Sequence, residues 1–140
     1  MVYLIYGSPC SGKSTYVRKH FKDGDIVCDV DRLYSAISYN DEHNTELYAQ
    51  EMSSYLYNEM IDLISNRKGH WKNAYVISIA NTEEKVEQLV KTIGADKTIY
   101  IDTPFEVCIE RAKERPFYFP HLIEEWFNTR NFKDINEEIE

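Results

Sequence analysis

Hydrophobic and polar positions fall into two kinds of block that alternate along the chain. Val2-Tyr3-Leu4-Ile5-Tyr6 is an unbroken apolar run of β-branched and aromatic residues closed by Gly7, the pattern of a strand buried on both faces. Ser14 to Phe21 follows as a helix. Asp25-Ile26-Val27-Cys28 gives a second strand, and Asp31 to Ser38 a short helix. Asn44 is placed to cap a long helix, in which Tyr48, Met52, Tyr55, Leu56, Met60, Leu63 and Ile64 recur at helical spacing and Gly69 is the stop. Ala74 to Ile79 is a third strand. Thr82 caps a helix through about Lys91, with Glu83 and Glu84 in the first turn, where the helix dipole favours them. Thr98-Ile99-Tyr100-Ile101 is a fourth strand. Pro104 then opens a helix with Phe105, Cys108, Ile109 and Ala112 as its apolar stripe. Leu122, Ile123, Trp126 and Phe127 mark a C-terminal helix. Strands alternating with helices predict an α/β fold: a parallel sheet of four or five strands, covered on both faces and joined by right-handed crossovers. Residues 1–132 read as one domain, and 133–140 as a frayed acidic tail.

The turn after the first strand carries the chemistry. Gly7-Ser8-Pro9-Cys10-Ser11-Gly12-Lys13-Ser14 matches G-x-x-x-x-G-K-[ST], directly between a predicted strand and a predicted helix. Glycines let the backbone wrap closely around phosphate oxygens, and the loop N–H groups form an anion nest. The helix N-terminus, with Thr15 in its first turn, adds its positive end. In such a loop Lys13 reaches the β and γ phosphates, and the Ser14 hydroxyl holds Mg²⁺. The cofactors expected are therefore ATP and Mg²⁺. Cys10 sits inside the loop, where it is either a filler or a thiol made acidic by the surrounding N–H groups.

Composition narrows the partners. The chain has 140 residues, with 16 Lys plus Arg against 24 Asp plus Glu, for a net charge of −8. That balance argues against a general nucleic-acid coat, whose affinity comes from neutralised phosphates, and leaves room for one local phosphate site. No apolar run approaches the roughly 18 residues of a membrane span, and Met1–Tyr6 is too short for a signal-peptide core. Three cysteines without metal spacing predict a reduced, cytoplasmic protein. Histidines are too scattered for a metal site. The basic residues Arg18, Lys19, His20 and Lys22, and Arg67 with Lys68, lie at predicted helix C-ends, a structural placement.

Three segments together resemble the small P-loop kinases: the phosphate loop, the strand ending in Cys28-Asp29-Val30-Asp31-Arg32, and Ile101-Asp102-Thr103-Pro104-Phe105 through Arg111 with Arg115-Pro116. The likeness spans about residues 2–116. It leans toward the polynucleotide-kinase-like and zeta-toxin-like branch, including small ATP-binding proteins of bacteriophages. The resemblance implies a P-loop NTPase fold with strand order 2-3-1-4. It implies a base, matched best by Asp31, that takes the proton of the hydroxyl being phosphorylated. Asp29 fits a water-mediated Mg²⁺ contact. Asp31 can alternatively do no more than cap the next helix. Lid arginines, here Arg111 and Arg115 four apart on one helix face, would neutralise charge in the transition state. Their plain alternative is pairing with Glu110 and Glu114.

Two departures stand out. Tyr34 occupies a position where many polynucleotide kinases carry Arg. The third strand ends Ile77-Ser78-Ile79-Ala80-Asn81, without the usual acid, leaving Ser78 or Asn81 to bond a metal-bound water. The aromatic run Pro116-Phe117-Tyr118-Phe119-Pro120-His121 either stacks on a base or packs the C-terminal helix. The expected function is ATP- and Mg²⁺-dependent phosphoryl transfer to a hydroxyl on a nucleoside, nucleotide, nucleic-acid end or sugar nucleotide. The alternative is an ATP-binding or slowly hydrolysing accessory protein acting through a protein partner.

Overall fold

The computed structural model describes residues 1–40 and 46–132, and the backbone of 138–139. Its elements are β1 (Val2–Tyr6), α1 (Lys13–His20), β2 (Ile26–Cys28), α2 (Val30–Ile37), α3 (Leu47–Ser65), β3 (Ala74–Ser78), α4 (Glu83–Ile93), β4 (Lys97–Tyr100), α5 (Phe105–Arg111), α6 (Phe119–Thr129) and β5 (Glu138–Ile139). A 3-10 turn, Ala112–Glu114, joins α5 to the α6 region.

The sheet is all parallel, in the order β2-β3-β1-β4, as the resemblance implied, with the short β5 added beside β4. Glu138 and Ile139 pair with Ile99 and Tyr100. Backbone pairing at an open edge depends on N–H and C=O groups rather than on apolar side chains, so composition did not reveal it.

Alternation along β1 splits the core in two. Val2, Leu4 and Tyr6 join Ile61 and Ile64 of α3, Val86 and Ile93 of α4, and Trp126 of α6 on one face. Ile5 joins Tyr16 and Val17 of α1, with Tyr75, Ile77, Ile99 and Ile101, on the other. Strands β1 to β4 therefore have apolar partners on both sides, which is why they read as apolar runs.

Two helix starts differ from the sequence pattern. Helix α2 begins one residue early, because Asp29 and not Asp31 is its cap: the Asp29 carboxylate accepts from the Asp31 N–H at 3.1 Å. Helix α3 is capped by Glu46, whose two carboxylate oxygens accept from the N–H groups of Tyr48 and Ala49. Asn44, the expected cap, lies outside the described residues. At the other end α3 stops at Ser65, before Gly69, and Arg67 turns back with φ +53°. Its guanidinium then donates to Ile64 O, Ile93 O and Gly94 O, fastening the C-ends of α3 and α4 together. The structural role expected for this cation is what the geometry gives. No described helix is long and apolar enough to cross a membrane.

Candidate nucleotide site

In a parallel sheet all strand C-ends lie on one edge, so the turns after β1, β2 and β3 come together there. Gly7 opens the first of these turns at a close approach. A Cβ on it would come within 2.8 Å of Ile101 O and 2.9 Å of Ser11 Oγ. Gly12 caps α1 at φ +101°, a left-handed conformation that disfavours any side chain. Having no side chain, Gly12 leaves the first-turn N–H groups of α1 uncapped and available to an anion. The Thr103 hydroxyl pins the loop from below by donating to Ser11 O at 2.6 Å. The Ser11 hydroxyl is buried beside Gly7 with no partner among the described residues. We expect Gly7→Ala to destabilise the fold by about 1–3 kcal/mol, because the added methyl meets backbone. Chemical denaturation reads this directly as a lower midpoint at unchanged slope.

Lys13 is buried, with its ammonium donating to Gly7 O at 3.0 Å and Ser8 O at 2.7 Å across the loop. Burial lowers its pKa from the usual 10.5 to about 8, and the charges of Asp29 and then Asp31 act against that fall. Both carboxylates of the second turn are thus electrostatically close to Lys13, and Asp29 is the more strongly coupled. Asp29 is buried at the end of β2, whereas Asp31 is exposed on the first turn of α2. Burial pushes the hydroxyl of Tyr57 on α3 well above its ordinary pKa, with the charges of Cys28 and Asp29 adding to the rise.

The arginine pair faces the loop. Arg111 Nη1 donates to Cys10 O at 3.0 Å, and the charge of Arg115 acts on the Cys10 thiol. Glu110 instead pairs with Lys113, at 2.8 Å, so the solvated pairing open to Arg111 with this neighbour is not the one made. Cys10 itself takes φ +63°. Its thiol pKa is raised, because desolvation outweighs the opposing effect of Arg115, Lys13 and Arg111. An acidified loop thiol is therefore not found. Ser14 is exposed in the first turn of α1.

The third turn brings no charge. Ser78 Oγ accepts from Ala80 N–H at 3.1 Å. Asn81 is buried, donates to the Thr129 hydroxyl and accepts from Lys85 Nζ, and its backbone carbonyl receives the Asn131 N–H. Asn81 is engaged in holding the end of α6, and Ser78 Oγ in the turn that follows its own strand. The aromatic run divides: Phe119 packs against Cys108, Ala112 and Ile123, while Phe117 is 95% exposed. Tyr34 is buried, and its hydroxyl accepts from Glu46 N–H at 3.0 Å, bridging α2 to the start of α3. A sequence reading assigned no role to this hydroxyl, because its partner lies twelve residues away in the chain.

A phosphate loop at the sheet edge, a buried lysine across it and two arginines on its outer side define the site. A family model described as an AAA domain matches residues 2–127. The chain belongs to this AAA-domain family. Among solved structures it is similar to a chain of the Pnkp1/Rnl/Hen1 RNA repair complex, with TM-score 0.61 and 18% identity over 96% of this chain. It spans 47% of that chain, about half its length. It is also similar to a sugar kinase from Janibacter sp. HTCC2649, with TM-score 0.62 and 13% identity, covering 99% of this chain and 82% of the other. At these identities the likeness is one of fold, and the fold is P-loop kinase-like. No curated protein matches the chain.

Proposed function

We propose that this AAA-domain protein is an ATP- and Mg²⁺-dependent kinase that transfers the γ-phosphoryl group to a hydroxyl. The observation that carries the reading is the convergence of Lys13, Asp29, Asp31, Arg111 and Arg115 on the phosphate loop. A bare nucleotide-binding loop needs no carboxylates opposite its lysine, but a hydroxyl that must lose a proton during transfer does. In this reading the nucleotide lies along Gly7, Ser8, Pro9, Cys10, Ser11, Gly12, Lys13, Ser14 and Thr15, with its phosphates on the loop N–H groups.

The available donors are hard oxygens, which suit Mg²⁺. This ion keeps several waters and takes only one or two protein ligands beside the phosphates. The exposed Ser14 hydroxyl would hold it directly. Bound ATP and Mg²⁺ supply the transferable group and neutralise charge on its oxygens. Lys13 cradles the phosphates. Arg111 and Arg115 move from loop carbonyl and thiol to the developing charge.

The proton acceptor is a carboxylate of the β2–α2 turn. Family resemblance favours Asp31, which is exposed to an incoming acceptor; burial, which raises a carboxylate's affinity for a proton, favours Asp29, against the neighbouring charge of Lys13, which lowers it. We assign the proton to Asp29. The resulting carboxylic acid would stay beside Lys13, and Asp31 would orient the acceptor.

Single-turnover loss of γ-phosphate from labelled ATP, with and without a hydroxyl acceptor, tests the reading. An acceptor-dependent rate supports a kinase; a rate set by water alone supports the accessory ATPase. Alanine at Arg111 or Arg115 should lower the acceptor-dependent rate by roughly 10²-fold or more, with ATP affinity changed only a few-fold, because the charge these residues meet develops during transfer. Equal rates in wild type and the double variant would remove both from the mechanism.

A further inference from the structure

Resting on the nucleotide-site reading above, we propose that Phe117 is the platform on which the base of the bound nucleotide stacks. A large apolar ring is left in water here, although a ring of this size gains much from burial. Phe117 is 95% exposed. Its neighbours in the aromatic run have found cover. Phe119 packs with Cys108, Ala112 and Ile123, and Tyr118 is partly buried.

The chain on either side fixes where the ring stands. Two residues before it, the charge of Arg115 acts on the Cys10 thiol inside the phosphate loop. Two residues after it, Phe119 packs in the same apolar cluster that Cys10 packs against. Two residues of chain span at most about 7 Å, so Phe117 is held near the outer side of the loop from both directions. Locally it occupies the corner of a tight turn. The Phe119 N–H closes that turn by donating to Pro116 O at 3.0 Å, and Tyr118 takes φ −82° and ψ −10°. Pro116 stiffens the entry to the turn, and Pro120 lies in the first turn of α6. The ring is thus presented on backbone that has little freedom left to lose.

A base is tethered to the phosphates on the loop through the ribose, so it comes to rest just outside the loop. Among the described residues the other exposed aromatic side chains are Phe21, Tyr39, Tyr48 and Tyr55, and they stand elsewhere. Phe21 follows the C-end of α1, whose N-end belongs to the loop. Tyr39 follows the C-end of α2, whose N-end carries Asp29 and Asp31. Tyr48 and Tyr55 lie on the side of α3 turned away from its buried residues Ser53, Ile61 and Ile64. Phe117 alone of these combines exposure with a place beside the loop. Stacking needs no hydrogen-bond partner at the edge of the base, because every base has a π-face.

The test separates the base from the phosphates. Calorimetry measures the binding of ATP and of inorganic tripolyphosphate, each with Mg²⁺, to the wild-type protein and to Phe117→Ala. We expect ATP affinity to fall about tenfold or more in the variant, with tripolyphosphate affinity within about twofold of wild type. The unliganded melt should not move, because the side chain removed is exposed. Phe117→Tyr should keep ATP affinity within about threefold. The fluorescence that Phe117→Trp adds should be quenched by ATP and not by tripolyphosphate. Equal losses for the two ligands overturn the inference, since the turn would then act on the loop and not on the base. So does an unchanged ATP affinity, an effect confined to KM for the acceptor, or added tryptophan fluorescence that ATP leaves unquenched. A dimer that Phe117→Ala dissociates would make the ring an interface residue, and would also overturn it. Failure of the wild-type protein to bind ATP overturns the nucleotide reading itself, and this inference with it.

Discussion

Lys13→Ala is expected to abolish the rise in melting temperature that ATP and Mg²⁺ produce in the wild-type protein. A ligand at a hundred times its Kd stabilises the native state by about 2.7 kcal/mol. For a domain of this size that corresponds to a shift of roughly 8 °C. The lysine is the one buried cation on the loop, so its removal takes away the charge that meets the β and γ phosphates. The unliganded melt should change far less, because two effects oppose. Truncation leaves Gly7 O and Ser8 O without their donor, but it also relieves the burial of an ammonium whose pKa has already fallen to about 8.

The same lowered pKa gives a pH signature. Above pH 8 the free protein holds Lys13 largely neutral, and phosphate oxygens favour the charged form, so binding draws in a proton. ATP affinity should therefore fall as pH rises from 8 to 10, and calorimetry in buffers of different ionisation heat should show proton uptake near pH 8.5. Lys13 also favours folding more as pH rises from about 8 to 10.5, since over that range the unfolded chain binds more protons than the folded one. A wild-type melt that does not respond to millimolar ATP with Mg²⁺ would defeat the nucleotide-site reading.

The second large effect is at the β2–α2 turn. Asp29→Asn keeps the shape and the helix cap, because the amide oxygen still accepts from Asp31 N–H, but it removes the proton acceptor. Transfer to the acceptor should fall by about 10²–10⁴-fold, with ATP affinity within a few-fold of wild type. Asp31→Asn should cost less than a tenth of that loss, expressed mainly in KM for the acceptor, since this side chain is exposed and only orients. If Asp31→Asn is the more damaging change, the roles are reversed as the family resemblance implies. If the principal effect of Asp29→Asn is a higher Mg²⁺ requirement, its place is with the metal.

Much of the fold was legible because its elements are driven by local pattern. Val2–Tyr6 and Ala74–Ser78 are continuous apolar runs, and a strand covered on both faces has no other way to be written. Thr82 caps α4 as expected, since a cap and its N–H partner lie within one turn. The phosphate loop was equally local: eight consecutive residues between a strand and a helix fix its backbone, and hence its chemistry, before any packing is known.

Tertiary structure decided whatever depends on residues far apart. Burial made Asp29 the cap and the stronger neighbour of Lys13, a ranking that two aspartates in one short segment do not disclose. Packing of α6 across the end of β3 engaged Asn81 with Thr129 and Lys85, taking it out of any metal shell. Arg111 and Arg115 had two partners open to them by sequence. They do not share a helix face: Arg111 ends α5 and Arg115 follows the 3-10 turn, yet both act on Cys10, about a hundred residues earlier in the chain. Finally, Tyr48, Met52, Tyr55 and Leu63 recur at helical spacing and read as part of a core stripe, but α3 turns Ser53, Ile61 and Ile64 inward and leaves those four exposed. An apolar period specifies which residues can share a face, and only packing decides which face is covered.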